Sequence, residues 1–238
     1  MTNYWYVYLI SIPLGIAVVV SPLWRFVRFF ETVFHEFGHA FVGMLLGQKL
    51  HGFKLRFNTS GETVMLSSGY GLRAAASQLA GYPAPIIIGC LGLYYSYYGY
   101  SVTITWIYVG ICIFMAVFIR NLFGFIPLMI VGSLAGVSLY LDSYNVPASF
   151  IFTSLTGVML VISGFRSLID LFRFLPEGSD VWMLRDRTFI GQRFWVVLMF
   201  LFSVLFVVLN ILFINWISGQ IEALYIVADN AKNTISGF

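Results

Sequence analysis

Phe34-His35-Glu36-Phe37-Gly38-His39-Ala40 reads H-E-x-x-H inside a run, about 24–47, that is otherwise largely apolar. On a helix His35 and His39 stand one turn apart on one face, so both imidazoles can reach one ion. Glu36 is the next position round, within reach of a water at that ion and suited to take its proton. Charged groups at mid-bilayer cost about 2.5–3.5 kcal/mol each even on the milder insertion scale. Three ionisable groups in five residues therefore need a shared partner, and a metal ion supplies one. The bland alternative is a pair of unrelated core histidines and a snorkelling glutamate.

The rest of the composition explains why that cost matters. Of 238 residues 60% are hydrophobic and only 10% charged, with a mean hydropathy of +0.89. A soluble domain carries about 25% charged residues, so the chain reads as an integral membrane protein with the lipid bilayer as its first partner. A net charge of +3 is too small to point to nucleic acid. Cys90 and Cys112 fall inside apolar runs and form no disulfide framework. Residues 1–20 lack a basic leader and a small-residue cleavage site, so they are expected to be a retained span. No lipid-anchor motif or soluble appendage is expected.

Outward from the motif, seven apolar segments approach the roughly 20 residues a helical crossing needs. They lie at about 4–20, 24–47, 72–98, 102–122, 125–141, 147–172 and 194–218. After the motif helix, residues 48–57 alternate apolar and polar, Asn58-Thr59-Ser60-Gly61 is turn-like, and 62–66 reads as a return strand. The expected fold is a single-domain, all-α polytopic membrane protein spanning 1–238, of about seven transmembrane helices. It carries a small β-hairpin, about 48–68, after the second. Gly81-Tyr82-Pro83-Ala84-Pro85 should break the third span. The tail from 219 on is polar enough to lie loose or on a surface. Lys and Arg near span ends divide nine to three, with Lys49, Lys54, Arg56, Arg185 and Arg187 in the larger set and Arg25 and Arg28 in the smaller. That split predicts a cytoplasmic N-terminus and hairpin, with the metal about 12 Å along the helix from its cytoplasmic end.

A catalytic zinc takes a third protein ligand. His51 lies on the strand pattern, and Asp142 sits at the far end of its span. Asp170 follows Arg166 by one helical turn, and Asp186 stands between Arg185 and Arg187. Asp180, in the loop at 176–187, has no adjacent cation, and Ser179 before it can cap a short helix. On these arguments Asp180 and the remaining candidates taken together stand level.

Taken in order, the H-E-F-G-H motif, the polar hairpin, the Ala80-Gly81-x-Pro break, Arg120-Asn121-Leu122-Phe123-Gly124 and Gly178-Ser179-Asp180-x-x-Met183-Leu184 resemble the site-2 protease family. The likeness is to its short bacterial branch without a PDZ domain and covers about 30–192. It implies an intramembrane zinc metalloprotease of a bacterial cytoplasmic membrane, acting on transmembrane protein substrates. His35, His39 and Asp180 would be the Zn2+ ligands and Glu36 the general base. Better-known members carry an Asn just after the proline of the broken helix, where it is thought to hold substrate. Here Ile86-Ile87-Ile88-Gly89 follows Pro85, and Asn121 is the amide that would take that substrate-binding role from a neighbouring helix. The competing reading is a non-proteolytic zinc-binding membrane protein, a metal sensor or transport component. A transporter should show a relay of intramembrane carboxylates and related halves, and neither is visible.

Overall fold

The computed structural model of the chain describes residues 5–56, 60–66 and 71–236, with the backbone path alone beyond Trp216. Its elements are α1 (Trp5–Val20), α2 (Trp24–Leu45), β1 (Leu50–Leu55), β2 (Gly61–Met65), α3 (Leu72–Ala80), α4 (Pro83–Tyr97), α5 (Ser101–Phe118), α6 (Leu122–Asp142), α7 (Ala148–Phe174), α8 (Asp180–Thr188) and α9 (Gln192–Ser236). The polytopic helical architecture and the hairpin after the motif helix are as expected. The strand ends and turn at Phe57, Asn58, Thr59 and Ser67 lie outside the described residues.

The span count differs from seven. Helices α5, α6, α7 and α9 over Gln192–Trp216 are each long and apolar enough to cross a bilayer. Two bent pairs bring the number to six if each is one span: Leu9–Val20 with α2, bent by 105°, and α3 with α4, bent by 54°. The sequence reading had counted α1 and α2 as separate crossings. Between them Pro22 has no N–H, the Ser21 hydroxyl donates to Val18 O at 2.8 Å, and the Trp24 N–H donates to Ser21 O at 3.1 Å. This tight turn bends the chain by 105°, a little past perpendicular. Gly15 lies against Val158 and Ile162, and the Trp24 ring sits 4.6 Å under the Arg166 guanidinium, so α1 and its turn advance along α7 in α7's own direction. At the tail, α9 continues as helix to Ser236.

Helix α7 runs through the bundle and meets α1, α4, α5, α6 and α9. Its approach to α4 is close because Gly89 and Gly157 each face the other's carbonyl oxygen, where a side chain would not fit. Farther along, the Ser96 and Thr153 hydroxyls share a hydrogen bond of 2.5 Å, which satisfies both inside the bundle. Large apolar residues such as Trp106, Ile113, Met129, Val137 and Leu201 point outward, as a lipid-facing surface requires.

The hairpin is antiparallel, with Phe53 opposite Thr63 and Leu55 opposite Gly61. Fully buried Phe53 and Leu55 pack it onto Phe34 of α2 and Met115 of α5. Its two edges are unequal. The outer edge of β1 is occupied by the link between α5 and α6: Phe53 forms a parallel bridge with Ile119, and the Arg120 N–H donates to Phe53 O at 2.8 Å. No third strand pairs with β2 among the described residues.

Candidate metal centre

Helix α2 carries His35 and His39 on one face because the motif lies wholly within an unbroken helix. The α3–α4 break presses against that face. Gly38 meets Ala80 and Ala84, and Gly81 meets both imidazoles, so a side chain at either glycine would collide. His39 is fixed from behind: its Nδ1–H donates to Ser77 O at 2.7 Å, and the Ser77 hydroxyl donates back to His39 O at 2.8 Å. With Nδ1 protonated, Nε2 keeps its lone pair for a ligand.

Asp180 arrives from the first residue of α8, which packs on α3 and α9. Ser179, in extended conformation, accepts from the Trp182 N–H at 3.4 Å and starts α8, as its sequence predicts. Val181 and Leu184, both fully buried, seat α8 in the cluster that also holds Leu168 and Val196, with α3 and α9 packed beside it. The Gln78 amide donates to Asp180 Oδ1, leaving Oδ2 for the histidines. Asp180 Oδ2 is 3.1 Å from His35 Nε2 and 3.2 Å from His39 Nε2, and the two Nε2 atoms are 3.1 Å apart. Burial alone pushes the Asp180 carboxyl up, but the His39 and His35 imidazoles beside it outweigh that and hold it below the usual carboxylate range.

Three donors at these separations fit a zinc ion. Tetrahedral arms of 2.0–2.1 Å imply donor–donor edges of about 3.3–3.4 Å, close to the triangle observed. Each of His39 and Asp180 also has an outer partner of the kind that orients metal ligands, Ser77 O and the Gln78 amide.

Glu36 is 2% exposed and stands outside the triad of donors. Its Oε2 accepts from the Thr63 hydroxyl of β2 at 2.5 Å, and Gly61 leaves room for the carboxylate where any side chain would overlap it. A pocket of about 870 Å³ opens over this centre between α2, β2, α3 and the start of α8.

The other sequence candidates fall where their neighbours suggested. His51 is exposed on β1, Asp170 lies 3.9 Å from Arg166, and Asp186 bonds exposed Arg185 at 3.0 Å. Asp142 accepts from the Ser149 N–H at 3.1 Å, at the α6–α7 turn. Asn121 is placed differently from its expected substrate role. Its Oδ1 accepts from the Leu55 N–H at 3.1 Å and its Nδ2 donates to Leu55 O at 2.6 Å, so both ends of the amide are bonded to β1 and the residue does not line the pocket. Arg28, counted opposite Arg56 and Arg187 in the charge split, lines the same pocket as both.

Sequence reasoning passed over a second buried carboxylate. Glu31, one turn before His35 and 3% exposed, accepts from the buried Ser167 hydroxyl at 2.8 Å. Its signal was available, since 28, 31, 35 and 39 follow one helical stripe. Thr63, Ser77 and Gln78 had no such signal. They act across folds of the chain.

The model of a protein family described as Peptidase M50B-like matches residues 8–210. No curated protein and no solved structure matches the chain.

Proposed function

The chain belongs to the Peptidase M50B-like family, within the site-2 proteases, and from that premise we propose that it is an intramembrane zinc metalloprotease hydrolysing peptide bonds in or near transmembrane segments of membrane proteins. The observation that carries this reading is the pairing of a three-donor triangle with a buried carboxylate that stands beside it and outside it.

His35, His39 and Asp180 would hold the ion. When bound, zinc supplies Lewis acidity, lowering the pKa of water to about 7 and polarising a carbonyl. Glu36 takes a proton from the attacking water as the new C–O bond forms. It then returns a proton to the amine as the C–N bond breaks. Thr63 and Gly61 fix the carboxylate for that exchange. A substrate helix hides its own peptide groups, so the cleaved stretch must be held extended. Strand addition does this, and the unequal hairpin edges favour β2, whose residues Gly61–Met65 line the pocket. The amide role expected of Asn121 passes to this backbone edge. The cations of the hairpin and α8 support a cytoplasmic hairpin.

The test is zinc content and cleavage of one membrane-spanning substrate in wild type and Glu36→Gln. Glu36→Gln should keep its zinc and cut at least about 10²-fold more slowly. Equal cleavage by the loaded variant would remove the general-base role. Zinc without cleavage of any substrate by wild type would favour a non-proteolytic metal protein.

A further inference from the structure

Hydrolysis of an amide moves the carbonyl electrons onto oxygen, and a donor aimed at that oxygen lowers the barrier. The neutral donors nearest the metal triangle are engaged elsewhere. The Gln78 amide serves Asp180, the Thr63 hydroxyl serves Glu36, and the Ser77 hydroxyl serves His39 O. The start of α4 offers little from its backbone. Pro83 and Pro85 have no N–H, and the Ala84 N–H is bonded to Gly81 O at 3.3 Å.

Tyr82 stands between these two groups. It occupies the break itself, next to the glycine that touches both imidazoles. Its ring meets the His35 ring edge-on, centroids 4.5 Å apart and planes at 83°. Its side chain packs against the buried cluster that includes Ile86, Leu168, Leu171 and Val181, which steadies the ring. The residue lines the pocket, and its hydroxyl has no hydrogen-bond partner among the described residues. A phenol held by its ring with a free O–H beside a metal centre is a preorganised donor.

We infer that the Tyr82 hydroxyl donates a hydrogen bond to the scissile carbonyl oxygen as negative charge builds there, making Tyr82 a catalytic residue beside Glu36. The phenol keeps its proton throughout, and the proton taken from water travels through Glu36. This role rests on the protease reading.

Tyr82→Phe removes the O–H and keeps the ring contact with His35. Zinc per chain, kcat and KM for one membrane-spanning substrate, and the affinity of a phosphinic peptide of the same sequence should be measured in wild type, Tyr82→Phe and Tyr82→Leu. The donor role predicts full zinc and an unchanged KM in Tyr82→Phe, with kcat lower by about 10²-fold or more. The phosphinic peptide, whose oxygens imitate the charged carbonyl oxygen, should weaken by a similar factor without any turnover. A purely structural role predicts that Phe matches wild type and only Leu fails, and that result would overturn the inference. Loss of zinc in Tyr82→Phe would overturn it too, since the phenol would then be holding the centre together. A zinc-loaded wild type that cuts nothing defeats the protease reading itself, and is told apart from these by the wild-type arm alone.

Discussion

Two glutamates on α2 share one pocket and nearly the same burial, yet their surroundings differ. Glu36 is held by Thr63 of the hairpin and backed by Gly61, beside a strand edge that no third strand occupies among the described residues. Glu31 is held by Ser167 of α7, inside the packed bundle. Each has one hydroxyl donor. The difference lies in which element carries that donor: a strand edge where an extended chain can lie, or a helix wall with no backbone edge to offer. Burial and hydrogen bonding alone do not pick out a general base. On the proposed reading, access to the reacting chain does.

The contrast can be broken at several strengths. Removing a ligand should have the largest effect. Asp180→Ala should lower zinc affinity by more than the 10–100-fold typical of outer partners and abolish cleavage, while Asp170→Ala keeps its zinc. Metal analysis of the two variants decides the ligand, and retention in Asp180→Ala with loss in Asp170→Ala would reverse the assignment. Gly61→Ala forces the Glu36 carboxylate to move and should slow cleavage by about 10²-fold with zinc retained. A wild-type rate in that variant would detach the hairpin from the chemistry. Glu31→Gln should keep its zinc and fall less than about tenfold, because its place is structural. If it matched Glu36→Gln instead, the two walls of the pocket would be equivalent and the comparison would collapse. The last test leaves chemistry untouched. With α1 running along α7 in α7's direction, a reporter at the N-terminus should lie on the face opposite one placed after Gly61. Both on one face would restore two separate crossings for α1 and α2, together with the cytoplasmic N-terminus of the charge split.

What the sequence disclosed follows the range of the forces involved. H-E-x-x-H is a one-turn relation, Ser179 capping α8 is a three-residue one, and the hairpin alternation and the Gly81–Pro85 break are equally local. Each was legible. The bonds from Thr63 to Glu36, Gln78 to Asp180 and Ser167 to Glu31 join residues 27, 102 and 136 positions apart, and no local pattern marks them. For Asn121 the limit is of a different kind. A side-chain amide that pairs with a strand and one that would hold a substrate are the same chemical group, and only Leu55 opposite it tells which is present. The count of spans failed at Ser21-Pro22, where a break in hydropathy marks a turn and says nothing of its angle.

The spacing of the metal donors also sets a timetable for the newborn chain. His39 and Asp180 are 141 residues apart, and chains emerge at about 5–20 residues per second. For several seconds the membrane holds a motif helix with two imidazoles, a carboxylate and no third donor. The link that secures β1 also comes late, since Arg120 and Asn121 follow the hairpin by more than a helix. On the proposed reading, a protease threaded into the bilayer beside other nascent segments would stay inert until α8 arrives, and its first accessible substrates would be finished proteins rather than its neighbours in synthesis.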